Sequence, residues 1–334
     1  MPNRSAFPVV FGFDFQTNAA IVLMLENIKE MSMIRLEGIE DIEITLENGN
    51  HIFAQAKSVV KSSSDFKNVL SNLKKSIKSL SEAYHSDPQK VRELIYITNS
   101  QNPFKEKNRS NIFYGPSQRL YETLPVTLQN KITKILEEIE FPLDTKLLKI
   151  QILPFETDND KERYKIVYDA IGDFLSQLSV NTINRHYLHN MWSYDIFKSG
   201  SRDNNKNIFL KKKEIIWPMI VYITESEDYE EYDIDSSEIE ELTSSYKEII
   251  NICSEKYEFV TKVLSLYNNF TNYENKKDKL SKFIESEYSN FRYLFNDTSL
   301  MLSQDLQNML IRIILRNIIR KRLQIEKIKK GVNL

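Results

Sequence analysis

Asp41, Gln55 and Lys57 are residues whose types and spacing could do chemistry together. Two short runs, Ile42 to Leu46 and His51 to Lys57, alternate or nearly alternate apolar and polar residues, as half-buried strands do. Between them stands Glu47-Asn48-Gly49-Asn50. Asn-Gly favours a tight hairpin turn, because both residues tolerate positive φ. Side chains two apart on a strand share a face, so Gln55 and Lys57 point the same way and the hairpin brings Asp41 beside them. A carboxylate, an amide oxygen and an ammonium then occupy one patch. Phosphodiester hydrolysis can use such a patch, with Mg²⁺ or Mn²⁺ held by hard oxygen ligands. Asp41 would be the metal carboxylate, and the Gln55 amide oxygen or the Ala56 carbonyl a second ligand. Lys57 would orient the water or stabilise developing charge. Taken alone, Asp followed by Gln-x-Lys is a weak pattern, and a solvated hairpin with ordinary surface charges accounts for it better.

The flanking residues shift that balance. Phe15-Gln16 opens an expected helix, Glu37 and Asp41 follow at four-residue spacing, and Gln55 and Lys57 come next. In this order the chain resembles the PD-(D/E)XK nucleases, and more narrowly the double-stranded DNA endonuclease domain of bacterial antiphage systems. That domain serves as a CBASS effector and as the nuclease subunit of Lamassu. The family pattern is G-x-x-[FY]-Q on the first helix, E-x-x-x-D on the strands, then Q-x-K. Gln55 departs from the wider superfamily, where Asp or Glu is commoner, and leaves one fewer negative charge for a metal. The resemblance covers about the first half of the chain, on the usual size of a domain. It implies a catalytic set of Gln16, Glu37, Asp41, Gln55 and Lys57, with Asp41, Gln55 and Ala56 at the metal. Whether Gln16 and Glu37 are catalytic or structural stays open.

The elements that must position these residues follow from hydrophobic spacing. Phe15 to Lys29 reads as a helix, with Ala19, Ala20, Leu23 and Ile28 on its apolar face. Ser62 to Asp65 offers N-cap candidates for a helix reaching about Tyr84. That helix carries Lys67, Lys74, Lys75 and Lys78, and Lys61 leads into it. A lysine run is usually a solvated face. Here its continuity with Lys57 suggests phosphate contacts. Val91 to Thr98 and Leu147 to Leu153 read as buried strands, Leu124 to Glu140 and Lys161 to Leu178 as helices, and Asn99 to Pro125 as irregular. His186 and His189 lack a carboxylate or Cys at metal-binding spacing and read as polar helix positions.

Composition bounds the rest. The 334 residues suffice for two domains, with 41% hydrophobic and 28% charged residues, a globular balance. A formal net charge of -2 means that any nucleic-acid surface is local. The single Cys253 excludes an intramolecular disulfide and fits a reducing cytosol. No apolar run is expected to span a membrane, and no signal peptide is expected. Ser199 to Asn207 reads as a loop, and the expected division runs 1–198 and 199–334. Glu214 to Ile223 has strand-like content, although Trp217-Pro218 argues against a central strand. Glu225 to Glu241 is acidic, either solvated or mimicking DNA over a basic groove. Ile239 to Asn269, Lys277 to Leu294 and Ser303 to Lys330 read as helices. The last has a broad apolar side at Leu306, Leu310, Ile313 and Ile314, suited to a bundle or a partner groove.

The expected fold class is α+β, an α/β sandwich with a restriction-endonuclease-like core, followed by an all-α domain. The expected function is metal-dependent cleavage of double-stranded DNA in antiphage defence. By resemblance alone, the partners are an SMC-like ATPase and a further accessory subunit; the terminal helix adds an expected homo-oligomer, and the single Cys an expected cytoplasmic location. The rival reading is a non-catalytic DNA-binding or scaffold subunit. A helical interaction protein with an incidental hairpin is a third.

Overall fold

The computed structural model describes residues 6–60, 66–107, 112–156, 159–201, 209–225, 242, 245–246, 249–250, 256–296 and 302–334. Contacts divide the chain into two compact units. The first comprises residues up to Ser176 with Asn184–Lys212, and the second Gln177–Ile183 with Lys213 onward.

A seven-stranded mixed sheet forms the first unit. Its strands are β1 (Met31–Leu36), β2 (Ile42–Leu46), β3 (His51–Lys57), β4 (Val91–Thr98), β5 (Ser117–Leu120), β6 (Leu148–Ile152) and β7 (Leu210–Lys211), in the order β5-β6-β4-β3-β2-β1-β7. β1, β2 and β3 form an antiparallel meander, while β3, β4 and β6 run parallel. β1, β5 and β7 go beyond the strands read from hydrophobic pattern. β5 pairs antiparallel with β6 inside the stretch read as irregular, and β7 pairs antiparallel with β1. Two strands that short carry too few residues for a periodicity to register.

The hairpin joins β2 and β3 as the Asn-Gly pair predicts, with Ile42 opposite Ala54 and Thr45 opposite His51. The loop has four residues, and only Gly49 takes a positive φ, 81°. Its amide donates to Leu46 O at 3.0 Å, and Asn50 N donates to Asn48 Oδ1 at 3.0 Å. Both strands differ from the half-buried expectation: every residue of β2 and the five central residues of β3 are buried. Helices cover both faces, so the polar residues between the apolar ones face a second packed layer rather than water. Glu43 is held there by Arg35, whose Nη2 lies 2.5 Å away.

α1 (Phe7–Asn27) packs on one face and touches α6 (Arg185–Gly200). α2 (Val69–Ser86) and α3 (Val126–Leu136) close the other face over Phe53, Leu94, Tyr96, Leu148 and Ile150. The helix read from Lys161 is two, α4 (Asp160–Arg163) and α5 (Lys165–Gln177). α1 starts eight residues before the expected Phe15, on an apolar stretch with Pro8 in its first turn, where a missing amide costs nothing. By length and composition alone α1 would be apolar enough to cross a bilayer, but most of it is buried in the fold, as in the core helix of a folded domain.

The secondary-structure elements described in the second unit are all helical. Lys212 ends the first unit's share of α7 (Lys212–Thr224), and α8 (Lys256–Asn269), α9 (Lys279–Glu287), a 3₁₀ stretch Tyr288–Phe295, α10 (Gln304–Arg320) and α11 (Arg322–Gly331) follow. The strand-like run at Glu214 is thus a helix, with Pro218 inside it. It is buried nearly all round, from Ile215 to Ile223, and an apolar run without alternation reads the same for a strand or a buried helix. The terminal helix read as continuous breaks at Lys321, which lets Ile325 and Ile328 point inward. A Cβ on Gly331 would lie 2.0 Å from Leu178 Cδ2, so the end of α11 closes directly on the 177–183 segment. The acidic block from 226 to 241, and 202–208 of the expected loop, lie outside the described residues.

Candidate active site

Asp41 immediately precedes β2 and faces the end of β3. Its Oδ2 accepts the backbone N–H of Ala56 at 2.9 Å and the Lys57 ammonium at 3.3 Å. The hairpin register makes this contact, since Ile42 pairs with Ala54 and the next residues outward meet at the strand ends. Both side chains stay partly open, Lys57 at 33% and Asp41 at 20%. No other hydrogen bond reaches Asp41 Oδ1 among the described residues, which leaves one carboxylate oxygen for a ligand.

Gln16 joins the two acidic positions. Its Nε2 donates to Glu37 Oε1 at 2.8 Å and to the Asp41 carbonyl at 2.8 Å. Glu37 N also donates to that carbonyl, at 3.1 Å, which closes the link between β1 and β2. Glu37 pays for the closure with a left-handed φ of 52°, a strained conformation for a side chain with a Cβ. Gln16 is buried on the turn of α1 that packs against the sheet. Gln16, Glu37, Asp41, Ala56 and Lys57 line one cleft of about 310 Å³, with Pro8, Val9, Gly12, Phe13, Ser58 and Asn72. Gln55 is buried and does not line it. Glu37 therefore supplies the second carboxylate in the cleft lining, beside Asp41.

Two residues outside the sequence-derived set shape this site. Glu40 is 5% exposed, its Oε1 accepts from Ser79 Oγ at 2.6 Å, and its Oε2 has no partner among the described residues. Burial pushes its pKa up to about 7; the Ser79 bond and Lys57 pull the other way, and Asp41 adds to the rise. An acidic residue beside Asp41 in a solvated-looking loop gave no sign of burial. Asn99 is 1% exposed and ties three chain segments at the strand ends. Its Oδ1 accepts from Val59 N at 2.8 Å, and its Nδ2 donates to Val59 O and Phe155 O, each at 2.9 Å. A lone amide ending the apolar run of β4 is the signal that could have found it.

The lysines separate. Lys61 lies outside the described residues. Lys67 precedes α2, Lys74 pairs with Glu138, and Lys78 lies 4.0 Å from Glu82. Lys75 is exposed and has no carboxylate partner among the described residues. His189 is buried, with Nε2 2.8 Å from Asn18 Oδ1 and its pKa lowered by burial, while His186 meets the edge of Tyr168. Neither reaches the cleft.

No protein-family model, curated protein or solved structure matches this chain. What the arrangement can do rests on its own chemistry. Among the described residues no group of three or more His, Cys, Asp or Glu forms a ready cage. Mg²⁺ does not need one, since it keeps several waters and binds through one or two carboxylates. Asp41, Glu37 and the Ala56 carbonyl suit that requirement as oxygen donors around an open cleft.

Proposed function

We propose that the first unit is a restriction-endonuclease-like core and that the chain is a metal-dependent endonuclease acting on double-stranded DNA. The observation that carries this reading is the convergence of Gln16, Glu37, Asp41 and Lys57 on one cleft, with Lys57 held by Asp41. Asp41 and Glu37 would hold Mg²⁺ or Mn²⁺, with the Ala56 carbonyl as a further oxygen. When bound, the ion supplies Lewis-acid polarisation of a phosphoryl oxygen and a more acidic water. Asp41 orients the Lys57 ammonium, which donates to the phosphoryl oxygens as charge builds on them. Gln16 fixes the spacing of the two carboxylates by holding the Glu37 side chain and the Asp41 backbone together. Such an activity suits an antiphage effector of the CBASS or Lamassu kind, restrained until an SMC-like ATPase and an accessory subunit, or a second copy of this chain, activates it in the cytoplasm.

The test is incubation of the full chain with linear duplex DNA and Mg²⁺ or Mn²⁺, with and without the products of neighbouring genes. Wild-type protein should cut. Asp41→Asn and Lys57→Gln should each lose at least a hundredfold in rate with unchanged circular dichroism. A folded Asp41→Asn protein that cuts at the wild-type rate would overturn the assignment. Metal-independent DNA binding without cleavage under every condition would favour the scaffold reading.

A further inference from the structure

The cleft holding Asp41 and Lys57 does not end at its own rim. A second cleft of about 460 Å³ shares Pro8, Ser58 and Asn72 with it and runs on past Ser71 to Lys75. A third, of about 820 Å³, begins at Ser71 and Lys75 and continues along α2. The three form one trough whose floor turns from carboxylate-bearing to neutral polar to mixed. The chemistry of each part differs. The middle part offers hydroxyl and amide groups, from Ser58, Ser71 and Asn72, and the ammonium of Lys75, which has no carboxylate partner among the described residues. In the far part Lys74 is bound by Glu138 and Lys78 stands beside Glu82, and Glu140 adds a further carboxylate to the wall. A polyanion gains from the middle part and is repelled or left without net gain in the far part.

We infer that the middle cleft is a phosphate-backbone subsite, in which Ser58, Asn72 and Lys75 hold one strand of the substrate on a single side of the reacting phosphate. This deepens, and rests on, the reading of the Asp41 cleft as a phosphodiester site. Asn72 and Lys75 are three residues apart, so they sit on neighbouring turns of α2 about 4.5 Å apart along its axis. A DNA strand advances about 3.4 Å per phosphate along a duplex. The track therefore spans one or two phosphates next to the cut and stops before Glu138. Hydroxyl and amide donors of this kind position a backbone without reading its bases. The subsite selects nucleic acid by its charge and spacing, and its contribution is indifferent to sequence.

The experiment uses the full chain and duplexes in which single phosphates around the mapped cut are replaced by neutral methylphosphonates, read by both anisotropy and cleavage. Binding is measured with Ca²⁺ in place of Mg²⁺. Neutralising one or two phosphates on one side should weaken wild-type binding roughly fivefold, whereas the same changes on the other side should matter less. Lys75→Gln should weaken binding to unmodified DNA by a similar factor, lower the salt slope by about 1 and abolish the one-sided effect. Lys74→Gln, which removes an already paired lysine, should change little. Cleavage by wild type with no one-sided effect, or an effect that survives in Lys75→Gln, overturns the subsite and leaves the endonuclease reading standing. One-sided, Lys75-dependent binding without cleavage under any condition supports the subsite and overturns the endonuclease. Absence of both binding and cleavage overturns both.

Discussion

At the scale of single residues, the site is a set of short, directed contacts around Asp41. One carboxylate oxygen takes two donors, its backbone carbonyl takes two more, and the remaining oxygen has no hydrogen bond among the described residues. Glu40 behaves differently, although it is the next residue in the chain. It turns away toward Ser79 and is buried with one oxygen unpartnered among the described residues. Its pKa stands at about 7 against 4.5 for an unperturbed group, so the folded protein binds more protons than the unfolded chain between those values. Stability then falls as pH rises through that window and levels off above about 7. The loss amounts to at most about 3 kcal/mol, at 1.36 kcal/mol for each pH step. Glu40→Gln keeps an oxygen for Ser79 and removes the titration. Urea denaturation at pH 5 and pH 8, in EDTA, should show a smaller drop in the variant than in wild type. An equal drop would place the pH dependence on another group.

At the scale of elements, the cleft exists because three strand ends are tied at one level. β3 and β4 are parallel neighbours, β6 follows, and Asn99 bonds the exit of β3 to Phe155 beyond β6. Lys57 and Ser58 lie just before that tie, so the direction in which β3 leaves the sheet sets where the ammonium stands. Asn99→Ala would strip partners from a buried N–H and two buried carbonyls. The expected cost is about 2–4 kcal/mol in urea unfolding, with cleavage falling further than stability because the backbone two residues beyond Lys57 loses its tie. A variant with wild-type stability would mean that these backbone groups find other partners. α1 shows a related division of labour within one helix. Residues Phe15 to Met24 are buried, while Val9, Val10 and Phe13 are largely exposed on the turns that flank the cleft.

At the scale of the whole molecule, each unit has its own core. The apolar side of α10, expected to serve a bundle or a partner groove, is used within its own unit. Leu310, Ile313 and Ile314 are fully buried, and α10 packs on α8, α9 and the Tyr288–Phe295 stretch. Leu310→Asp with Ile314→Asp should therefore destroy helical structure, since two carboxylates would enter an apolar core. A large loss of far-ultraviolet ellipticity is expected; full helicity with a changed mass in light scattering would return this face to assembly. Local pattern was enough for β2, β3, β4, β6, the hairpin and the amphipathic faces of α2, α3 and α5, because period and turn chemistry act over a few residues. Asp41, Gln55 and Lys57 were likewise legible as residue types at usable spacing, whereas Gln16 and Glu37 joined them only through the resemblance. The meeting of Gln16, Glu37, Asp41 and Lys57 in one cleft was decided by tertiary structure, as were the exclusion of Gln55 from its lining, the burial of Glu40 and the pairing of Lys74 with Glu138. Each of these depends on which surfaces a second layer covers and on contacts between residues 15 to 64 positions apart. Periodicity along the chain carries the spacing of neighbours but no distance to a partner so far away, and only packing sets that distance.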